Sequence, residues 1–159
     1  MARQVRLADT PATLEDWGTT ILRVVTGTVF MVHGWQKLFE FGVGNVAQTF
    51  GSMGIPAPHA AAMVVSTLEF FGGAALILGL LTRWVSVPLT VQMAVAVLAV
   101  HLSKGFFVDK GGYEFALMMG TASAALVLLG PGALAVDNLL ARRGAHWVRP
   151  SHRLSRARI

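Results

Sequence analysis

The hydrophobic positions fall into four long stretches, near residues 19–38, 60–81, 84–102 and 114–136. Each approaches the roughly twenty residues that a helix needs to cross about 30 Å of hydrocarbon. Most of them lack the charges at helical spacing that a soluble helix carries on its solvent face. The pattern predicts an all-α protein, a four-helix transmembrane bundle. The second and third stretches are separated only by Thr82 and Arg83, which predicts a tight antiparallel hairpin at one membrane face, with the longer loops on the other. In the first of those outer loops, Val46, Phe50 and Met53 recur at i, i+4 and i+7 before Gly54 and Pro56. That spacing predicts a short amphipathic helix lying on the bundle or in the interface. Gly130-Pro131-Gly132 predicts a bend or stop near the end of the fourth stretch, with residues 134–140 continuing as a separate amphipathic piece. Small residues at Gly72, Gly73, Ala75, Gly79, Gly120 and Ala124 would let helices approach closely, within the chain or in an oligomer.

Composition agrees with this pattern. The chain of 159 residues is 54% hydrophobic and only 13% charged, and its mean hydropathy is +0.60, outside the usual balance of a soluble domain. A net charge of +5 would suggest nucleic acid as a partner if it were spread over the chain. It is concentrated instead: six arginines lie between Arg142 and Arg158, behind the last apolar stretch. Such a tail is read as a cytoplasmic segment beside anionic lipid, and no nucleic-acid partner is expected. Arg3, Arg6, Arg83 and the tail fall on one side of the bundle, and Lys37, Lys104 and Lys110 on the other. The positive-inside rule then makes both termini cytoplasmic, with Trp17 and Trp84 at the inner interface and Trp35 and Tyr113 at the outer one. Asp9, Glu15 and Asp16 stand beside the N-terminal arginines and no clear small-residue cleavage pattern follows, so the first span is expected to stay. The expected organisation is a cytoplasmic N-terminal segment over residues 1–18, a four-span membrane domain over 19–140, and a basic cytoplasmic tail over 141–159. Cysteine is absent, so a redox role would need a bound cofactor or a partner protein.

Charges inside spans cost about 2.5–3.5 kcal/mol each at a helix centre on insertion scales, so each one calls for a reason. Glu69 falls near the middle of the second span, too deep to reach water by snorkelling. It must be protonated, paired, or turned toward a wet cavity. Arg23 lies about one turn into the first span, where it either snorkels to the interface or points inward toward Glu69. His33 and Lys37 are spaced i, i+4 and share a helix face; His101 ends the third span and Glu114 opens the fourth. In a bundle, His33, Lys37, His101 and Glu114 lie at similar depth with Glu69 below them, which predicts a polar chamber in the outer half. The competing reading is a satisfied hydrogen-bond and salt-bridge network that orders the bundle and does nothing more. Gln92 lies nine residues before His101, half a turn out of phase on an α-helix, and is expected to face a different neighbour. No phosphate loop, paired-histidine zinc motif or Cys/His ladder is present, and two histidines on two spans are too weak a signal for a metal or haem.

Several stretches, in order, resemble the DoxX family: "TGTVFMVHGWQKLF", "GSMGIPAP", "LEFFGGAALILGLLTR", "VHLSKGFF", "GGYEFAL" and "GPGALAVDNLL", spanning about residues 21–140. The resemblance implies a small four-span protein of the bacterial inner membrane, similar to a subunit of a thiosulfate:quinone oxidoreductase, with some members linked to complexes that handle oxidative or thiol stress. It also implies that His33, Lys37, Glu69, His101 and Glu114 are the family's polar positions, without settling their roles. The function expected is a subunit or accessory protein of a quinone-linked oxidoreductase or redox-stress system. His33, Lys37 and Arg23 would bind the substrate, and Glu69, His33, His101 and Glu114 would transfer protons or hydrogen-bond. The chain itself would carry no cofactor beyond a bound quinone, and membrane or cytoplasmic redox proteins would be its partners. The alternatives are a non-enzymatic assembly or scaffold protein and a small-solute or proton pathway.

Overall fold

The computed structural model describes residues 12–145; the expectations about Arg3, Arg6 and most of the basic tail lie outside them. Among the described residues the chain is helical throughout, without strands. Helix α1 spans Leu14–Trp35 and runs on into a π-helical turn, Gln36–Glu40. Helix α2 is Val43–Ser52, α3 is Pro58–Leu78, and α4 is Thr82–Val95. A second π-helical turn, Ala96–His101, and a 3₁₀ turn, Leu102–Lys104, prolong α4. After a short 3₁₀ turn at Val108–Lys110 come α5, Glu114–Leu129, and α6, Val136–Ala145. Two helical segments, Pro58–Leu78 and Thr82–Lys104, are long and apolar enough to cross a membrane, and α5 is a shorter apolar helix.

Helix α1 starts from a capping box. The Thr13 side chain accepts from the Asp16 amide at 3.2 Å, and the Asp16 carboxylate accepts from the Thr13 amide at 2.9 Å, satisfying two of the orphan donors at the helix start. The Thr13 amide and then its hydroxyl, by bonding the ionised carboxylate, hold Asp16 below its ordinary value of 3.8.

Helix α1 packs most extensively along α3, and α4 along α5, while α3 and α4 touch less. The α1–α3 approach depends on glycine: a Cβ on Gly27 would lie 2.8 Å from the Gly73 carbonyl oxygen, closer than real Cβ contacts come. Beside this seam the core gathers Phe30, Leu76, Leu89, Met93, Met119 and Leu126. The short outer helix forms as expected and lies on the bundle, with Val46 and Ala47 buried against Ala62 of α3.

The hairpin between α3 and α4 turns at Gly79–Leu81, slightly ahead of the expected Thr82-Arg83. Gly79 takes φ +68 and closes α3 in a Schellman arrangement, with the Leu80 amide donating to Ala75 at 2.9 Å and the Gly79 amide to Leu76 at 3.0 Å. Leu81, at φ +50, is a non-glycine residue in the left-handed region. The Asp137 carboxylate holds it there, accepting from the Leu81 amide at 2.7 Å and the Thr82 amide at 2.9 Å. A residue 55 positions away therefore caps the start of α4. The fourth stretch ends at Gly130, φ +90, and α6 follows as a separate helix, as the Gly-Pro-Gly signal implied.

Candidate functional site

The polar residues of the spans divide into two groups at opposite ends of the helices. At the end that holds the α1 start, the α3–α4 hairpin and the α6 start, Arg23 is buried to 1% exposure. Its guanidinium donates to the carbonyls of Leu76, Ile77 and Leu134. Arg23 thus neither snorkels outward nor pairs with Glu69. Backbone carbonyls left over at the α3 C-terminus attract it, aided by the negative end of the helix dipole. Arg83 does the same for α5, donating to the Val127 carbonyl at 3.2 Å. Asn138 donates to the Gly132 carbonyl at 2.8 Å, and the Thr20 hydroxyl accepts from the Ala133 amide at 2.9 Å.

At the other end lies a cavity of about 850 Å³, walled mainly by apolar side chains of α1, α3, α4 and the α2–α3 connection. His33, Lys37, Glu69, Gln92 and His101 line it. Lys37 forms an ion pair with Glu69 Oε2, and Gln92 Nε2 donates to Glu69 Oε1 at 2.6 Å. Both carboxylate oxygens are thereby satisfied, which a buried charge in an apolar setting requires. Glu69 is 5% exposed and Lys37 22%, so the lysine forms the wetter side of the pair.

His101 Nδ1 lies 2.7 Å from the Gly111 carbonyl oxygen. A carbonyl only accepts, so Nδ1 carries the proton and Nε2 remains as an acceptor. His33 packs its ring against Phe115 at a centroid distance of 5.5 Å and makes no side-chain hydrogen bond among the described residues. Gln92 Oε1 is buried without a partner there. Lys37 uses one of three N–H donors on Glu69. The cavity therefore offers unused donors at Lys37 and at Lys104, which also lines it, and in the neutral His101 ring an unused acceptor at Nε2; Gln92 Oε1 is buried out of its reach.

Six polar side chains, Lys104 included, are thus brought together, and two of the expected ones are not among them. Arg23 is committed to the opposite end. Glu114 begins α5, half-buried, but its side chain does not line the cavity and makes no hydrogen bond or ion pair among the described residues. Gln92, expected to face elsewhere, is a direct partner of Glu69. The half-turn argument assumed 100° per residue from Gln92 to His101, but the π-helical turn at Ala96–His101 winds more slowly and shifts the phase. Each π turn also delivers one polar cavity residue, Lys37 from the first and His101 from the second. Among the described residues no cluster of three or more His, Asp or Glu side chains is placed to hold a metal ion.

The fold and site define a small helical protein with a mostly apolar cavity ending on an ion pair. The chain belongs to the DoxX family, whose model matches residues 18–102. It is 38% identical over 120 residues to a Bacillus subtilis (strain 168) protein named "Putative oxidoreductase CatD", covering 76% of this chain and 84% of that one. It is 27% identical over 130 residues to "Inner membrane protein YqjF" of Escherichia coli (strain K12), covering 82% and 97%. A membrane protein of Mycobacterium tuberculosis is 31% identical over 135 residues, covering 77% and 80%. No solved structure matches the chain at a comparable level.

Proposed function

We propose that the chain is a four-span protein of the bacterial inner membrane that serves a quinone-linked oxidoreductase system by holding a quinone head group in the outer cavity. The observation that carries this reading is the cavity's polar end: a Glu69 carboxylate fully satisfied by Lys37 and Gln92, with lysine donors and a histidine acceptor left over. A quinone oxygen accepts in the oxidised form and donates in the reduced form. A site with both unused donors and an unused acceptor suits that pair, and apolar walls suit the ring.

In this reading Lys37 donates to the head-group oxygen, and His33, without a side-chain hydrogen bond of its own among the described residues, is a second candidate contact. His101 Nε2 accepts from the reduced form. Glu69 exchanges protons through Lys37, its ion-pair partner, while Gln92 Nε2 holds its other oxygen. A quinone supplies the two-electron, two-proton chemistry that a cysteine-free chain lacks, and the electrons come from a partner redox protein. CatD's name as an oxidoreductase supports the redox part of the reading, and YqjF's name the membrane part. The α1 start, the α3–α4 hairpin and the α6 start share one end, joined by the Thr20–Ala133 and Asp137–Leu81 hydrogen bonds, as a chain with both termini cytoplasmic needs. Outward-facing residues such as Ile21, Phe71, Leu98, Met118 and Leu128 are well exposed, in keeping with lipid contact. Arg23, the inner group that a transmembrane pathway would use, is bonded to backbone carbonyls, which favours a one-sided chamber over a conduit.

The test is binding of 2-methyl-1,4-naphthoquinone to the full chain in nanodiscs. The quinone reading expects saturable binding, weakened about tenfold or more by Glu69→Gln, which removes the charge-assisted bond, worth about 1.5–3 kcal/mol, that holds the Lys37 ammonium where it donates to the head group. No saturable binding by the unaltered chain, to this head group or a tailed one, would overturn it.

A further inference from the structure

A second, shallower opening lies between α3 and α4, lined by Val64, Leu68, Phe71, Gly72, Trp84 and Pro88. Val64, Leu68 and Pro88 line the main cavity as well. The cavity and the crevice therefore adjoin across these side chains, in the gap between the two helices. The gap has a structural cause: α3 and α4 are tied at the Gly79–Leu81 hairpin, while their main packing partners, α1 and α5, are different. Above the hairpin, among the described residues, the one side-chain hydrogen bond between them is that of Gln92 to Glu69 at 2.6 Å. The cavity-lining Val64 and Val91, on facing helices, are 62% and 58% exposed, so the same side chains face both the cavity and the surroundings of the bundle. From Val64 to Gly72 the crevice runs about 12 Å along α3, at 1.5 Å per residue.

We propose that the cavity's ligand is an amphiphile with a long apolar chain, that it enters sideways from the bilayer between α3 and α4, and that its chain lies in the crevice while its head reaches Lys37, Glu69 and Gln92. The proposal rests on the quinone reading and adds the ligand's class and route. A water-soluble ligand would have no use for an apolar side portal about 12 Å long facing lipid. The crevice walls carry Thr67 as their one hydroxyl, and its Oγ1 is already bonded to the Met63 carbonyl at 2.7 Å. The groove therefore presents hydrocarbon to hydrocarbon.

The experiment compares two probes on the full chain in nanodiscs: 2-methyl-1,4-naphthoquinone without a side chain, and the same head group with a long isoprenoid chain, each corrected for partition into empty nanodiscs. The unaltered protein should bind the chain-bearing probe about tenfold tighter, through close packing of the chain against the crevice walls rather than through transfer out of water, since lipid is equally apolar. Thr67→Trp and Phe71→Trp, at crevice positions that do not line the cavity, should each abolish that preference by filling the crevice and leave binding of the tailless probe unchanged. Equal binding of both probes by the unaltered protein would overturn the side-portal proposal and leave the quinone site standing. Binding of neither probe would overturn the quinone reading and the portal with it. If the tryptophan variants fail to fold, the comparison of the two probes on the unaltered protein decides alone.

Discussion

The two polar clusters have similar residue types and opposite bonding. At the end proposed to be cytoplasmic, the inner end, Arg23, Arg83, Asp137, Asn138 and Thr20 bond to backbone groups at helix ends and turns. At the outer end, Lys37, Glu69 and Gln92 bond to one another, and His33, His101 and Gln92 keep ring or amide atoms unused beside a cavity. Helix ends leave orphan carbonyls and amides, and in an apolar setting each needs a partner. The inner cluster supplies those partners, so its capacity is consumed by the fold. The outer cluster neutralises its own charge and keeps capacity to spare. An ionisable group in a span is thus not evidence of function by itself; what it bonds to decides.

This difference can be broken or sharpened by substitution. The largest loss of stability is expected for Arg23→Met, which leaves the Leu76, Ile77 and Leu134 carbonyls without their donor. At roughly 1–3 kcal/mol per unsatisfied buried group, partly relieved by relaxation, the cost is about 3 kcal/mol, a fall of about 10 °C in the melting temperature. Thermal unfolding in mild detergent measures it, and a change under about 2 °C would remove Arg23 from the seam. Asp137→Ala should cost about 1–2 kcal/mol, because it removes the cap on α4 and the hold on the left-handed Leu81. Asp137→Asn should recover part of that loss, since an amide oxygen can accept one of the two bonds. Gln92→Leu should cost about 1 kcal/mol and should be non-additive with Glu69→Gln, because the two share one hydrogen bond; a double-mutant cycle with no coupling would contradict the pairing.

The smallest effect concerns pH. Asp16 is held below its ordinary value by the Thr13 amide and hydroxyl, so its cap is at full strength above about pH 3.8 and is lost as pH falls through the lower, folded value. Helix content of the α1 start, followed by hydrogen exchange, should fall over that acid range, and Thr13→Val should flatten the dependence.

Much of the fold was legible in the sequence because it rests on side-chain pattern. The apolar stretches, the hairpin, the amphipathic outer helix and the stop at Gly130 each have a residue-level signal, and each element formed within a few residues of its expected bounds. The four spans are nevertheless unequal: Pro58–Leu78 and Thr82–Lys104 alone pass a simple length-and-apolarity test, and the four-span topology is part of the proposal. His33, Lys37, Glu69 and His101 could be grouped by depth and face. Gln92 could not, because its phase depends on a π-helical turn, and no residue in Ala96–His101 announces one. A second polar group in the same span as His101 was the signal available, and it is worth keeping even when out of phase. Arg23 was misplaced for a different reason. Its partners are carbonyls, and backbone acceptors carry no letter in a sequence; the αL turn at Gly79 that exposes them became evident only with the fold. Glu114 shows the limit of depth alone, since sharing a level with the cavity did not bring its side chain to the lining.

The separation of a ligand site from a structural seam is tested most directly by measuring, on one preparation in nanodiscs, both the melting temperature and the affinity for the chain-bearing naphthoquinone in Glu69→Gln. If the outer cluster is a ligand site, affinity falls about tenfold or more while the melting temperature shifts by no more than about 2–4 °C, since the amide oxygen still accepts from Lys37 and Gln92 can turn its own oxygen to the amide N–H. Unchanged affinity with a fall of about 10 °C would instead place Glu69 in the same structural category as Arg23.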